Sequence, residues 1–178
     1  MPSIATSFGK ALASKFRPNT KSRQSAYRHF FHEANRLVFC VVYGIRLSSV
    51  DLKGNKASVR FESDFIWSGN RHFKSYIEMM LSGAVAIQMN YSGENKEMVK
   101  AITEAEKFYH LASHSDHFSP EPFERIVSSC CRNAAVHLEN PNIKAATAWV
   151  TRHLMQSKGD LYGGSLEQVL AAIREKLS

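Results

Sequence analysis

Residues 27–44 read YRHFFHEANRLVFCVVYG. Phe30, Phe31, Ala34, Leu37, Val38, Val41 and Val42 recur at the three- and four-residue spacing that lines up one face of a helix. The spacing predicts a helix that starts between Ser22 and Ser25 and stops at Gly44, a residue type suited to a helix C-terminus. The same stretch carries His29, His32, Glu33 and Arg36, so the candidate chemistry sits on the helix that decides the fold.

Immediately after it, IRLSSVDL and ASVRFESDF alternate apolar and polar residues around the turn signal KGNK, which predicts a hairpin or a small sheet within 45–65. From Arg71 the period becomes helical again. One helix is expected over roughly 71–90 and a second over about 95–113. A third is opened by Pro120 and Pro122, as prolines in a first turn do. Pro141 separates it from a fourth near 142–157. GDLYGG reads as a loop, and Ser165 as the cap of the final helix. The expected class is α+β, mostly helical, with a small sheet in the N-terminal third beside a helical bundle.

A chain of 178 residues holds one domain with a real core. Residues 1–23 read as a basic, flexible arm and 24–178 as the domain. The arm is Ser-rich and free of acids, a composition also shared by organelle transit peptides. Its basic residues account for much of the net charge of +7; the rest of the chain is nearly balanced and holds no nucleic-acid motif, which argues against DNA or RNA as partner. No apolar run has the roughly 18 residues of a membrane span. Three cysteines, two of them adjacent at Cys130 and Cys131, make no disulfide framework. They read as reduced, buried thiols of a cytosolic protein.

His32-Glu33 raises the question of a metal. In an H-E-x-x-H helix the two histidines, four residues apart, bind one zinc, and the intervening glutamate takes a proton from the metal-bound water. Here the second histidine position is Arg36. A guanidinium is permanently cationic and has no lone pair to offer a metal.

The order of further segments adds a family. Residues 27–44 resemble the HEAGH-type helix of the FtsH-type zinc peptidase domain, the proteolytic half of membrane-anchored AAA proteases. YIEMMLSGAVAIQMNYSG (76–93) is similar to that family's LLGGRAAEELVFG helix, and EMVKAITEAEKFY (97–109) to the helix that follows it. RNAAVHLENPNIKAATAWVTRHLMQSKGDLYGGSLEQVL (132–170) is similar to its C-terminal helices. The resemblance spans about residues 25–175. It implies a helical fold with a small sheet, Glu33 at the position of the general base, and His32 as a zinc ligand. The family's aspartate ligand maps to Lys96 or Glu97. The two acids of the family's AAEE segment match Ile87 and Gln88. Neither the family's ATPase module nor its membrane anchor is expected in this chain.

Arg36 is expected to stand in the space of the metal, paired with Glu33 and, if it reaches in, with Glu97. On that reading Glu33 is a vestigial base, no cofactor is needed, and the chain is an inactive homologue that binds a peptide or protein partner, with a sheet edge as the docking element. The alternative is an active, ATP-independent metallopeptidase with an unusual zinc-ligand set of His32, Glu97 and a further group near Glu33. A shifted site using His29, His32 or Glu33 is a third arrangement, for which helical spacing alone supplies too few ligands. A separate cluster, HLASHSDH, offers His110, His114, Asp116 and His117 as metal-ligand types; its plainer reading is a polar helix end.

Overall fold

The computed structural model describes residues 21–53, 56–61, 70–91, 96–113, 121–157 and 160–178. Among the described residues, six helices and three strands run in the order α1 (Lys21–Tyr43), β1 (Leu47–Lys53), β2 (Lys56–Phe61), α2 (Asn70–Asn90), α3 (Lys96–Ala112), α4 (Phe123–Glu139), α5 (Pro141–Gln156), β3 (Leu161–Tyr162) and α6 (Gly163–Leu177). The protein is mostly helical with one small antiparallel sheet, as the periodicity predicts.

α1 buries Phe30, Ala34, Leu37, Val38 and Cys40. It ends where expected. Gly44 takes φ +65°, a left-handed conformation that costs glycine little, while the Ile45 and Gly44 amides return to the carbonyls of Cys40 (2.8 Å) and Val41 (3.2 Å). At its other end the helix begins at Lys21, so the expected boundary between arm and domain at 23/24 falls inside α1. Residues 1–20 lie outside the described residues.

α2 is the central helix. Every residue from Tyr76 to Ile87 is buried, because α1, α3 and α4 pack around it. Gly83 makes a close approach of α1 possible. A Cβ there would stand 2.5 Å from the His32 carbonyl oxygen and 2.7 Å from the His32 ring. α5 packs on the other side of α1, with α6 against it. Between α1 and α5 the Thr147 hydroxyl donates to Asn35 Oδ1 at 3.2 Å, and Asn35 Nδ2 donates to the Phe31 carbonyl at 2.7 Å. Two buried polar side chains are thereby satisfied.

The sheet has the order β2-β1-β3, with both pairings antiparallel. β2 packs on α1 through the alternate buried residues Ala57 and Val59. β3 lies within the segment read as a loop. It pairs Leu161 with Val50 and Tyr162 with Ser49, and Asp160 accepts from the Leu52 amide at 2.7 Å. Two details at helix starts also differ from expectation. Pro122 is the residue before α4 rather than in its first turn, and Pro120 lies outside the described residues. Ser165 sits inside α6, where its hydroxyl donates to the Tyr162 carbonyl (2.9 Å) and accepts from the Tyr162 amide (3.2 Å). Asn140, between α4 and α5, accepts from the Asn142 amide at 2.8 Å and caps a helix whose first residue is Pro141.

Candidate functional site

Positions 29, 32, 33 and 36 of α1 lie three or four residues apart, so a helix brings their side chains together. Glu33 is buried, its side chain only 5% exposed. His32 Nδ1 lies 3.0 Å from Glu33 Oε1 and donates to it, since a carboxylate only accepts. Arg36 Nη1 donates to Glu33 Oε2 at 3.4 Å. Burial alone pushes the Glu33 carboxyl up. The Arg36 charge, the His32 hydrogen bond and the nearby rings of His32 and His29 outweigh it and hold Glu33 below its ordinary value. Glu33 is therefore a carboxylate whose charge is neutralised inside the protein.

Arg36 is itself largely buried, its side chain 12% exposed, and its guanidinium carbon stands 5.6 Å from the centre of the Phe61 ring at the end of β2. The expected pairing of Arg36 with Glu33 is present. The expected pairing with Glu97 is not, because Glu97 belongs to another arginine. Arg28 Nη2 donates to Glu97 Oε2 at 2.8 Å, and the Arg28 guanidinium lies 5.7 Å from the centre of the Tyr91 ring. The reason is position along the helix. Glu97 stands in the first turn of α3, and Arg28 is two turns before Arg36 on α1. Lys96, the other residue matched to the family's aspartate, is exposed. Of the two residues matched to the family's acids, Ile87 is buried and Gln88 exposed.

His29 does not join Glu33 as a direct partner. Its Nε2 is 2.7 Å from both the amide nitrogen and the carbonyl oxygen of Ala57 on β2. His110 lies exposed near the end of α3, its ring 5.9 Å from that of Tyr109. His114, Asp116 and His117 lie outside the described residues.

These residues fit a zinc ion poorly. The position of the second histidine holds a cation that already neutralises Glu33, and Glu97 is taken by Arg28. Among the described residues, no group of three or more His, Cys, Asp or Glu side chains could hold a metal ion.

A second polar cluster lies at the other end of α1. Glu78 is buried within α2 and accepts a short hydrogen bond from the Tyr43 hydroxyl. His137 Nε2 is 3.8 Å from the same carboxylate oxygen, and the His137 ring meets those of Phe39 and Tyr43 edge-on. Burial, with Glu78 beside it, pushes the Tyr43 hydroxyl far above its ordinary value. Sequence reasoning passed over this cluster. The available signal was a lone acid inside the apolar run YIEMMLSGAVAI, which a helix tolerates only with a partner.

All three cysteines are free thiols; Cys40 and Cys130 are buried, as expected, and Cys131 is half-buried. Among the described residues no helix is long and apolar enough to cross a membrane. Comparison with protein-family models finds no match to the chain, and comparison with curated proteins finds none either.

Proposed function

We propose that this protein is a non-catalytic relative of the FtsH-type zinc peptidase domain and works by binding an extended peptide or a protein segment. The observation that carries the reading is the buried contact between Glu33 and Arg36. A general base for hydrolysis needs a water molecule activated beside it and a free carboxylate to take the proton. Here the carboxylate is engaged at one oxygen by His32 and at the other by Arg36, and the fixed cation stands at the position the family gives to a metal ligand. Among the described residues β2 pairs with a strand on one side only, and it lies against α1, beside the same residues. An added strand pairs through main-chain groups and needs no metal. A reducing compartment such as the cytosol suits three free thiols.

The test joins metal content to binding. Tag-free protein dialysed with excess Zn²⁺ is expected to retain less than about a tenth of a zinc per chain, unchanged in His32→Ala. Peptide binding is expected to survive Glu33→Gln and to fall when Val59→Pro removes an amide from β2. Close to one zinc per chain, lost in His32→Ala, with peptide hydrolysis lost in Glu33→Gln, would overturn the proposal in favour of an active metallopeptidase.

A further inference from the structure

We infer that the face formed by α1 and α5, together with the residues that precede α1, docks on the surface of an anionic lipid bilayer. The inference goes beyond the peptide-binding reading and does not depend on it. Residues 1–32 contain no acid, and the one acid of α1, Glu33, is buried. α5 packs on α1 and has no acid along its whole length. Two cations stand exposed on it: Lys144, paired with Glu139 of α4, and Arg152. Among the described residues, the exposed acids of the helices belong to α3, α4 and α6 instead. A face with one sign of charge favours a partner of the other sign.

The apolar groups beside these cations favour lipid over nucleic acid. Tyr27 is 39% exposed and stacks on Phe31, which meets Tyr91 edge-on. Arg28 lies over the Tyr91 ring and pairs with Glu97. Arg152 stands near enough for its charge to act on the Tyr27 hydroxyl, whereas Thr147 meets Asn35 further along α1. The two helices therefore run antiparallel, and the start of α1 lies beside the end of α5. On α5 Trp149 stacks on His153, with Lys176 Nζ of α6 5.6 Å from the centre of the indole. Tyrosine and tryptophan beside Lys and Arg are the side chains that settle between headgroups and acyl chains. The start of α1 also tethers residues 1–20 to this end. Their sequence sets a large apolar residue at every fourth position, Ile4, Phe8, Leu12 and Phe16, among Lys10, Lys15 and Arg17. Helical turns gather such a repeat on one side, as in segments that lie in a lipid interface without crossing it. An arm for nucleic acid needs the cations but not the apolar repeat. One weak signal seldom holds a protein on a membrane; an apolar stripe joined to a cationic face supplies two.

The test is flotation of the full chain with vesicles of phosphatidylcholine alone and of phosphatidylcholine with about a third phosphatidylglycerol. The protein is expected to float with the anionic vesicles only, and to float less as salt rises from about 0.1 M to about 0.5 M. Arg152→Glu is expected to lower the partition coefficient by roughly five-fold or more, the effect of losing one charge at a membrane surface. Arg125→Glu makes the same change on the exposed surface of α4 and is expected to bind as the wild type does. Phe8→Ser/Leu12→Ser touches no described contact and is expected to lose binding, which keeps the inference open to refutation should Arg152→Glu unfold. Equal losses in Arg152→Glu and Arg125→Glu would overturn it, since net charge alone would then account for the binding. Equal flotation with both kinds of vesicle, or flotation with neither, would overturn it too, whether or not the protein binds a single-stranded oligonucleotide.

Discussion

Gly83 of α2 lies directly beneath the backbone of His32 on α1, so close that a Cβ at position 83 would come within 2.5 Å of the His32 carbonyl oxygen. The atom in the way belongs to a helix backbone and cannot rotate aside. Gly83→Ala is therefore expected to push α1 off α2 and to cost about 1–3 kcal/mol, even though alanine is the better helix former. Urea unfolding of the two proteins checks this. An unchanged midpoint would mean that the helices do not approach this closely at His32.

Removing the cation from the buried pair leaves a carboxylate without its charge partner. Arg36→Gln is expected to destabilise the protein by about 3 kcal/mol, the lower end for breaking a buried pair because His32 still donates to Glu33. The double variant Glu33→Gln/Arg36→Gln is expected to recover most of that loss, as no buried charge remains. The coupling in this double-mutant cycle is the measured quantity. Strictly additive losses would argue that the two side chains do not meet.

The same pair sets a pH dependence. Glu33 is held below its ordinary value of 4.5 in the folded protein, so its ionised form contributes stability above that pH. The contribution is lost as pH falls through the lower, folded value. In Arg36→Gln burial is less opposed and the folded value rises, so protonation then relieves the buried charge. The stability gap between wild type and Arg36→Gln is expected to be widest near pH 7 and to shrink as pH falls below 4.5. Chemical unfolding at pH 7 and at pH 4 measures both gaps; a gap that widens in acid contradicts the assignment.

Thiol chemistry follows burial. Cys130 is pushed up to about 12 by burial, with Glu78 and other nearby groups adding to the shift, and Cys40 is driven higher still. Cys131 is raised as well, by burial and by Glu78, but is only half-buried. Native protein at pH 8 is expected to react slowly with iodoacetamide, at Cys131 first, and to expose Cys40 and Cys130 only on unfolding. Mass spectrometry of digested samples reads the order. Early labelling of Cys40 would mean that the core around α1 opens locally.

Most of the helices were legible because each buries one face, and a buried face writes its period into the sequence; α2, buried all round from Tyr76 to Ile87, shows instead as an apolar run too long for a strand. Leu37, Val38 and the flanking apolar positions mark α1 without help from the rest of the chain. β3 had no such signature: two residues cannot show a period, and Leu161-Tyr162 lies between an aspartate and two glycines that read as a turn. Only its partner, β1, makes it a strand. The candidate site was legible to the extent that it is local. Arg36 and Glu33 share a helix, so spacing alone placed them together. Glu97 chose Arg28, 69 residues away, because of how α3 approaches α1, and helical spacing carries no information about that. Tyr43, Glu78 and His137 come from three different helices and meet only once the bundle is assembled.

β1 is the middle strand of the sheet, and its two neighbours arrive at very different times during synthesis. β2 follows within a few residues and can close as a hairpin at once. The other side is stitched by a hydrogen bond spanning 108 residues, from Leu52 to Asp160, and by the two residues after it. A nascent chain must therefore carry β1 with one flank bare while four helices are still being made. The sheet becomes whole only when the segment around Leu161 has emerged, so premature termination anywhere between α2 and α5 yields a hairpin whose β1 flank stays bare, a template for pairing between chains.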